Sequence, residues 1–332
     1  GTGVDVKWHG LCARLIDGCG FGSKYATKKF MEWVEKFDPD VIHLHNLHGY
    51  YINIEVLFKY LKTCGKKIVW TLHDCWPFTG HCAYFDFIKC QEWKTECKKC
   101  PQKKEYPQCI FISRARSNFK KKQELFTGVN DMILVTPSDW LRKLVRQSFL
   151  REYPVKTIHN GINTSIFKPT SSDIKQRYGL QGRKVVLGVA AVWDRRKGLK
   201  YMIKLAEKLG STFVVVVIGV TEEQREQLPA NMLGIPQTES TMELVEWYSA
   251  ADCFVNPTLE DNYPTTNLEA IACGTPVLTF KTGGSVETVP IKNVVHQGDV
   301  DGLARIIKKG KADLSTVCVD KDILLSRYLE LY

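Results

Sequence analysis

The segment 254–277 constrains the fold of this chain more than any other part of the sequence. It predicts a buried strand, a short turn with two adjacent acids, a helix and a second buried strand. Residues 262–266 are small, polar or turn-forming and stand directly before the apolar helix 268–273. A helix start of this kind leaves backbone N–H groups facing an anion. Asp261 and Glu269 flank it, so we expect a ligand with hydroxyl groups on both sides of a diphosphate.

These residues resemble the donor-binding domain of the retaining glycosyltransferases of family 4, the group 1 enzymes with the GT-B fold. The family motif is an acid, seven residues, and then a Glu inside an L-E-A-x-A-x-G-T-P-V run, which residues 268–277 match. The first acid falls on Asp261, where Glu is usual, and Glu260 directly precedes it. Tyr263 and Pro264 replace the common Phe-Gly. Without the resemblance, the segment could be an ordinary strand–turn–helix unit whose acids cap the helix.

The resemblance implies that the second half of the chain binds a nucleotide sugar, with UDP or GDP as the carrier. Asp261 is then expected to bind sugar hydroxyls and Glu269 the ribose hydroxyls, while backbone N–H groups near Thr265 and Thr266 meet the diphosphate. The implied donor-site residues are Arg196, Lys197, Gly219, Ile235, Thr265, Thr266, Asn267 and Glu269. The implied catalytic residues are His73, Lys197, Asp261 and Glu269. The family needs no divalent metal for catalysis.

A second motif, segment 192–199, follows a predicted buried strand and opens a helix. In family 4 this loop supplies an Arg and a Lys that hold the diphosphate. Lys197 matches the Lys, but the Arg position falls on Val192, so Arg195 or Arg196 must take that role. Cations suit a departing diphosphate because its negative charge grows in the transition state. Taken alone, the segment could be a charged turn at a helix start.

Composition and charge limit the kinds of protein and of binding partner that this sequence is compatible with. The hydrophobic content of 44% and charged content of 25% are ordinary for a globular protein, and no apolar run is long enough to span a membrane. Residues 1–155 carry 25 Lys and Arg against 16 Asp and Glu, so this half holds nearly all of the net charge of +10. This positive charge would attract an anionic membrane surface or a phosphate-bearing lipid acceptor. Alternatively, it belongs to a helix face that is simply exposed to solvent. We expect no nucleic-acid partner, because no binding motif accompanies it.

Alternating strand and helix patterns predict two α/β halves with parallel sheets. The predicted strands are 41–45, 67–73, 132–136 and 155–158, then 185–191, 213–220, 231–233, 253–256 and 276–280. By resemblance these form two Rossmann-like domains facing each other across a cleft. We place an acceptor-side domain at 1–155, with a Cys-rich insertion at 74–109, and the donor-binding domain at 156–319. We expect a final helix within 320–332 to pack back on the first domain.

Histidines stand at the ends of two predicted strands in the first half. Ligands in open α/β sheets bind beyond the carboxyl ends of the strands. By resemblance, His73 matches a T-x-H-D position near the donor sugar and the acceptor. His43 and His45, with His48 downstream, could form a metal cluster. Strand alternation places His43 and His45 on one face, which favours a pocket-wall or structural role.

The insertion contains a large share of the 12 cysteines of the chain. Disulfides are not expected, because nothing indicates secretion. Four of these cysteines could bind a structural zinc ion that orders a long irregular segment. They are Cys82, Cys90, Cys97 and Cys100. Their spacing is not that of a standard zinc-knuckle pair, so buried reduced thiols are the alternative. Residues 73–82 resemble a stretch found in a polysaccharide-synthesis subgroup of family 4.

As a whole, the resemblance implies transfer of a sugar with retention of configuration to a glycan or lipid-diphosphate-linked acceptor. The setting would be bacterial cell-surface or capsular polysaccharide synthesis, in the cytoplasm or at the inner face of the membrane. The opening strand and Gly-rich loop of the family have no counterpart here, so we expect a start that is truncated by roughly two strand–helix units. The alternatives are a GT-B sugar-nucleotide epimerase, a non-catalytic nucleotide-sugar binder and a zinc-organised interaction module. Asp261 and Glu269 together with Lys197 favour transfer.

Overall fold

The computed structural model describes residues 2–332. The helices in this range are α1 (Gly3–Ile16), α2 (Lys24–Phe37), α3 (Ile54–Leu61), α4 (Ala115–Phe126), α5 (Asp139–Val145), α6 (Ile174–Arg177), α7 (Leu199–Leu209), α8 (Glu222–Glu226), α9 (Thr241–Ala250), α10 (Thr265–Ala272), α11 (Val300–Lys308) and α12 (Lys321–Leu329). The strands are β1 (Val41–Leu44), β2 (Lys67–Thr71), β3 (Met132–Thr136), β4 (Val155–Thr157), β5 (Lys184–Val189), β6 (Phe213–Ile218), β7 (Met232–Ile235), β8 (Cys253–Asn256), β9 (Val277–Phe280) and β10 (Val294–Val295).

The chain divides into two compact units. Unit 1 consists of the residues up to Ile158 together with Arg327–Tyr332, and unit 2 of His159–Ser326. Each unit contains one sheet in which all described strand pairs are parallel. The order is β1-β2-β3-β4 in unit 1 and β10-β9-β8-β5-β6-β7 in unit 2. The predicted α/β class with two parallel sheets is therefore confirmed.

The nine predicted strands are present, with ends that differ by a few residues. Strand β10 was not predicted from the sequence, because a strand of two residues is too short to give a periodic pattern. Within residues 2–332, no helix combines the length and apolar character that crossing a membrane requires.

The core of unit 1 is built on aromatic side chains from three elements. Phe58 of α3, Trp70 of β2 and Phe126 of α4 are almost fully buried, and their ring centroids lie 4.4–5.3 Å apart. Large buried rings contribute much of the apolar area that stabilises a domain. At the other face of the sheet, Leu331 packs with a small cluster that includes Val69. The end of the chain is thereby part of this unit.

The core of unit 2 is centred on β6, in which all six residues are buried. Its run of four valines is typical of a parallel strand that is covered on both faces. The strand order of this sheet reverses between β5 and β8, since β6 and β7 follow on one side and β9 and β10 on the other. Open α/β sheets bind their ligands at such a switch point, beyond the carboxyl ends of the strands. The loops after β5 and β8 therefore define the candidate site.

Candidate functional site

The loops that leave β5 and β8 meet through a charged contact. Lys197 Nζ lies 2.7 Å from Asp261 Oδ2, and Arg196 Nη1 lies 3.5 Å from the same oxygen. Arg196 Nη1 also donates to the carbonyl of Glu260 at 2.9 Å. Asp194 Oδ1 accepts the backbone N–H of Lys197 at 2.8 Å. Two predicted site residues, Lys197 and Asp261, are thus in direct contact, and Arg196 lies beside them.

Glycine at position 198 allows the two loops to approach this closely. Gly198 has a φ of +82°, and a Cβ there would lie 2.4 Å from the carbonyl oxygen of Pro257. The backbone N–H of Leu259 donates to the carbonyl of Arg196 at 2.8 Å, which links the loops directly. A larger residue at 198 would separate the loops and move Lys197 away from Asp261.

The backbone of Asp261 is fixed by a glycine pair that follows β9. A Cβ at Gly283 would lie 2.0 Å from the carbonyl oxygen of Asp261, and the φ of Gly283 is +48°. The N–H of Gly284 donates to that carbonyl at 3.2 Å. The carboxylate of Asp261 also accepts the N–H of Asn262 at 3.0 Å. The position of this carboxylate therefore depends on three segments that are distant in sequence.

Replacing Gly283 with alanine is expected to lower the free energy of unfolding by well over 1 kcal/mol, because positive φ and a backbone clash act together. It should also weaken ligand binding at Asp261. Gly310→Ala is the matched control, since Gly310 has a φ of +59° and a Cβ there would meet no atom within 4 Å. Denaturant unfolding of both variants separates the two causes. Equal losses in the two variants would show that the close approach to Asp261 is unimportant.

Helix α10 begins directly after this loop, and no side chain caps its N-terminus. Pro264, the residue before the helix, has no N–H of its own. Thr265 is exposed and Thr266 is half-buried. The N–H groups of a first turn have no partner within their helix, so the helix presents donors and the positive end of its dipole here. This arrangement suits an anion.

Asn267, which was predicted as a donor-site residue, lies in the core instead. It is fully buried, and its side chain bonds Asn256 and Thr288, each at 2.8 Å. Its backbone N–H donates to the carbonyl of Pro264 at 3.2 Å. We therefore assign Asn267 to holding the start of α10 against β8 and the turn at Ser285, rather than to contact with a ligand.

Glu269 lies in the second turn of α10 and is bound by a residue that the sequence analysis did not identify. The Tyr248 hydroxyl of α9 donates to Glu269 Oε2 at 2.8 Å. Burial raises the pKa of the Glu269 carboxyl, and the hydrogen bond from Tyr248 opposes this in part. The pKa of Tyr248 is raised well above its usual value by burial and by the Glu269 charge. Glu269 is thus a held, partly desolvated carboxylate.

Gly219 and Ile235 lie at the carboxyl ends of β6 and β7. The N–H of Gly219 donates to the carbonyl of Ile235 at 2.8 Å. The φ of Gly219 is +94°, and a Cβ there would lie 1.7 Å from the carbonyl oxygen of Ala190. Only glycine fits this position, so the strand ends beyond β5, β6 and β7 form a tightly packed backbone surface.

In unit 1, three histidines form a row at the carboxyl ends of β1 and β2. The rings of His43 and His45 lie 4.3 Å apart, and His45 Nδ1 lies 3.0 Å from His73 Nε2. His43 also bonds Thr71 at 2.8 Å and Tyr332 at 2.6 Å. Burial lowers the pKa of all three, that of His43 to about 4. Burial therefore favours the neutral form of these three neighbouring imidazoles.

His48, which was considered together with these histidines, is not part of the row. Its Nε2 lies 2.9 Å from Asp74 Oδ2 and its Nδ1 2.9 Å from the Tyr106 hydroxyl. The three-histidine metal cluster considered from the sequence does not form, because Asp74 and Tyr106 occupy both ring nitrogens of His48. The four cysteines considered as zinc ligands border one small pocket of unit 1.

Two sequence families match this chain. Residues 18–166 match the glycosyltransferase family 4 profile, and residues 170–313 match the profile of the glycosyl transferases of group 1. Together the two profiles cover most of the chain. It belongs to the group 1 glycosyltransferases.

Relatives in this family are similar at a low level of identity. WcaC of Escherichia coli (strain K12), named as a glycosyl transferase of colanic acid biosynthesis, is 26% identical over 258 residues. The match covers 76% of this chain and 62% of WcaC. D-inositol 3-phosphate glycosyltransferase 1 of Catenulispora acidiphila is 31% identical over 39% of this chain and 36% of its own length. The chain thus spans less than two thirds of either relative.

Solved structures support the fold. Sucrose-phosphate synthase of Thermosynechococcus elongatus has a TM-score of 0.68 at 17% identity and covers 92% of this chain and 76% of its own. Anabaena HepE in complex with UDP has a TM-score of 0.65 at 15% identity and covers 92% of this chain and 80% of its own. Both neighbours have the GT-B fold, which confirms the predicted fold class.

Proposed function

We propose that this group 1 family member transfers a sugar from a nucleotide-sugar donor to a hydroxyl group of a glycan or lipid-linked oligosaccharide, with retention of configuration. The setting would be the synthesis of a cell-surface polysaccharide, in line with the name of WcaC, a glycosyl transferase of colanic acid biosynthesis. The observation that carries the proposal is the contact between Lys197 and Asp261 at the switch point of the unit 2 sheet. It lies beside a helix N-terminus that no side chain caps.

Each charged group of the site has a distinct task in this proposal. Lys197 and Arg196 bind the diphosphate together with the N–H groups that open α10, and Glu269 accepts hydrogen bonds from the ribose hydroxyls. Asp261 shares its carboxylate between the cations and the hydroxyls of the sugar. His73 remains the candidate catalytic residue of unit 1 that the family resemblance implies. UDP is the first carrier to test, because HepE binds UDP.

The chemistry follows from where charge develops. The bond between the anomeric carbon and the diphosphate oxygen breaks, and the acceptor hydroxyl oxygen bonds the same carbon on the same face. The proton of that hydroxyl passes to the departing diphosphate oxygen. Negative charge grows on the departing diphosphate, and Lys197 and the helix N-terminus stabilise it because they are already in position. A preorganised cation of this kind lowers the barrier without reorganising during the reaction.

The raised pKa of Glu269 makes donor binding sensitive to acid. Since the carboxylate form accepts hydrogen bonds from both ribose hydroxyls, affinity should fall as the pH drops through the pKa of Glu269. That loss should begin at a higher pH than the usual value of 4.5 would predict. Calorimetric titration of a donor between about pH 8 and 5 measures this effect. An affinity that does not change over this range would show that Glu269 does not bind the ribose hydroxyls.

A panel of nucleotide sugars tests the proposed function. Thermal shift and nucleotide release are measured with UDP- and GDP-sugars, with and without a glycan acceptor. We expect one donor class to raise the melting temperature and to be consumed only when the acceptor is present. Binding without turnover would favour a nucleotide-sugar binder, and a changed sugar on the nucleotide would favour an epimerase. No response to any donor would contradict the proposed transfer of a sugar from a nucleotide.

A further inference from the structure

We propose that four cysteines of unit 1 bind a structural zinc ion. They are Cys82, Cys90, Cys97 and Cys100. This site is separate from the proposed transfer chemistry and does not depend on it. All four side chains line the same small pocket, which is closed by apolar side chains such as Phe85 and Trp93. Four thiols around one enclosed space supply the complete ligand set of a structural zinc site.

The pocket holds together a segment that has little regular structure of its own. Between β2 and α4 the chain forms only two short 3₁₀ turns within the described residues, Trp76–Phe78 and Glu92–Lys94. A connection of this length normally needs an organising element. The thiols of Cys82 and Cys100, from opposite ends of the segment, are hydrogen-bonded to each other. A shared metal ion would fix the whole segment from within.

Backbone N–H groups lie next to three of the four sulfur atoms. Cys97 Sγ accepts the N–H of Gly80 at 3.3 Å. Cys90 and Cys100 interact with the backbone of Glu92 and Gln102, each two positions further along the chain. Burial raises the pKa of the Cys90 and Cys97 thiols, and these backbone groups oppose that rise in part. The sulfur atoms therefore have polar partners that can support a metal ligand, and a bound cation would supply the remaining stabilisation of the thiolates.

A buried lysine supplies compensating positive charge. Lys122 is 1% exposed, and its amino group donates to the carbonyls of Trp76 at 2.8 Å and Thr79 at 3.1 Å. These partners are neutral, and a buried ammonium group is costly without a negative charge nearby. Lys122 interacts electrostatically first with Cys19 and the buried Asp17 carboxylate, and then with Cys97 and Cys82. Four thiolates outweigh the charge of Zn²⁺, so the occupied site would place a second anion beside Lys122.

His81 points to the same conclusion. It is 2% exposed, and its Nδ1 lies 2.6 Å from Asp17 Oδ1, which is buried as well. Its other ring nitrogen, Nε2, is buried without a hydrogen-bond partner. Such an orphaned atom is unusual in a protein core. The imidazole acts electrostatically on Cys100. Its unpartnered Nε2 therefore marks a polar site left incomplete directly before Cys82 in the chain.

The thiols must move slightly to become ligands. As the side chains stand, residues 2–332 contain no group of three Cys, His, Asp or Glu side chains that could hold a metal ion. Rotation of the cysteines about χ1 towards the centre of the pocket, with loss of the thiol protons, would complete the tetrahedral set.

Metal analysis of the purified full chain tests the proposal. We expect about one zinc ion per chain by mass spectrometry. Replacement by Co²⁺ should give thiolate-to-cobalt charge-transfer bands and the intense visible bands of a tetrahedral site, with an intensity that corresponds to four thiolates. The double variant Cys97→Ser/Cys100→Ser should lose the metal, whereas Cys64→Ser/Cys318→Ser, outside the pocket, should retain it. If Cys97→Ser/Cys100→Ser fails to fold, the zinc content and the cobalt spectrum of the unmutated chain still test the proposal.

Two outcomes would overturn the proposal. One is a folded, unmutated chain that holds neither zinc nor cobalt after growth and refolding with each metal. The other is a disulfide between Cys82 and Cys100 in the protein isolated from cells, which would show that the pocket is a thiol pair rather than a metal site. A chelator that removes zinc should lower the melting temperature, and added zinc should restore it.

Discussion

Replacing Lys197 with alanine is expected to lower turnover by about 10²–10³-fold, with only a small change in the free energy of unfolding. Lys197 is half-buried, and its amino group contacts the Asp261 carboxylate at 2.7 Å. In the proposed reaction it stabilises the diphosphate as negative charge grows there. Its contribution should be larger in the transition state than in the bound donor, so kcat should fall more than donor affinity.

Lys200→Ala is the matched control for this experiment. Lys200 lies only three positions further along, is exposed, and places its amino group 4.8 Å from the centre of the Tyr201 ring. Its removal changes the charge of the same region by the same amount without touching Asp261. Steady-state rates of nucleotide release should fall for Lys197→Ala alone. Equal rates for both variants would remove Lys197 from the mechanism.

Replacing Glu269 with glutamine is expected to weaken donor binding by about 100-fold or more. The carboxylate would accept two hydrogen bonds from the ribose, and a hydrogen bond to a charged group contributes about 1.5–3 kcal/mol. Glutamine keeps the shape of the side chain but has one acceptor oxygen. Because burial raises the pKa of Glu269, the variant should also lose the decline of affinity with falling pH. Calorimetric titration of the donor measures both effects.

Tyr248→Phe separates the charge of Glu269 from its orientation. This variant removes only the hydroxyl that donates to Glu269 at 2.8 Å. We expect a severalfold loss of affinity, since the carboxylate remains but is less firmly held. The pH dependence should persist in Tyr248→Phe and vanish in Glu269→Gln. If Glu269→Gln binds the donor as tightly as the unmutated chain, the ribose contact is wrong.

Much of the fold follows from local sequence patterns. The all-valine centre of β6 and the turn before α10 predict their elements because buried parallel strands and helix starts have strong residue preferences. The family resemblance also implied that Lys197 and Asp261 belong to one site. Their direct contact adds a geometric reason, because both loops leave the sheet where its strand order reverses.

Other parts of the site depend on contacts between distant segments, which no local pattern encodes. Tyr248 reaches Glu269 from another helix, and its Leu-Val-Glu-Trp-Tyr surroundings indicate only an amphipathic helix. The family resemblance implied that Asn267 binds the donor, yet its side chain belongs to a buried polar network. Gly283 could have been noticed, because a Gly-Gly pair after a strand often marks a close backbone approach.

A crystal structure with the donor selected by the panel tests the central claim most directly. We expect the diphosphate to lie between Lys197 and the first turn of α10, with the ribose hydroxyls at Glu269 and the sugar at Asp261. A nucleotide bound to other residues of unit 2, with Lys197 and Asp261 still paired and α10 unoccupied, would contradict it.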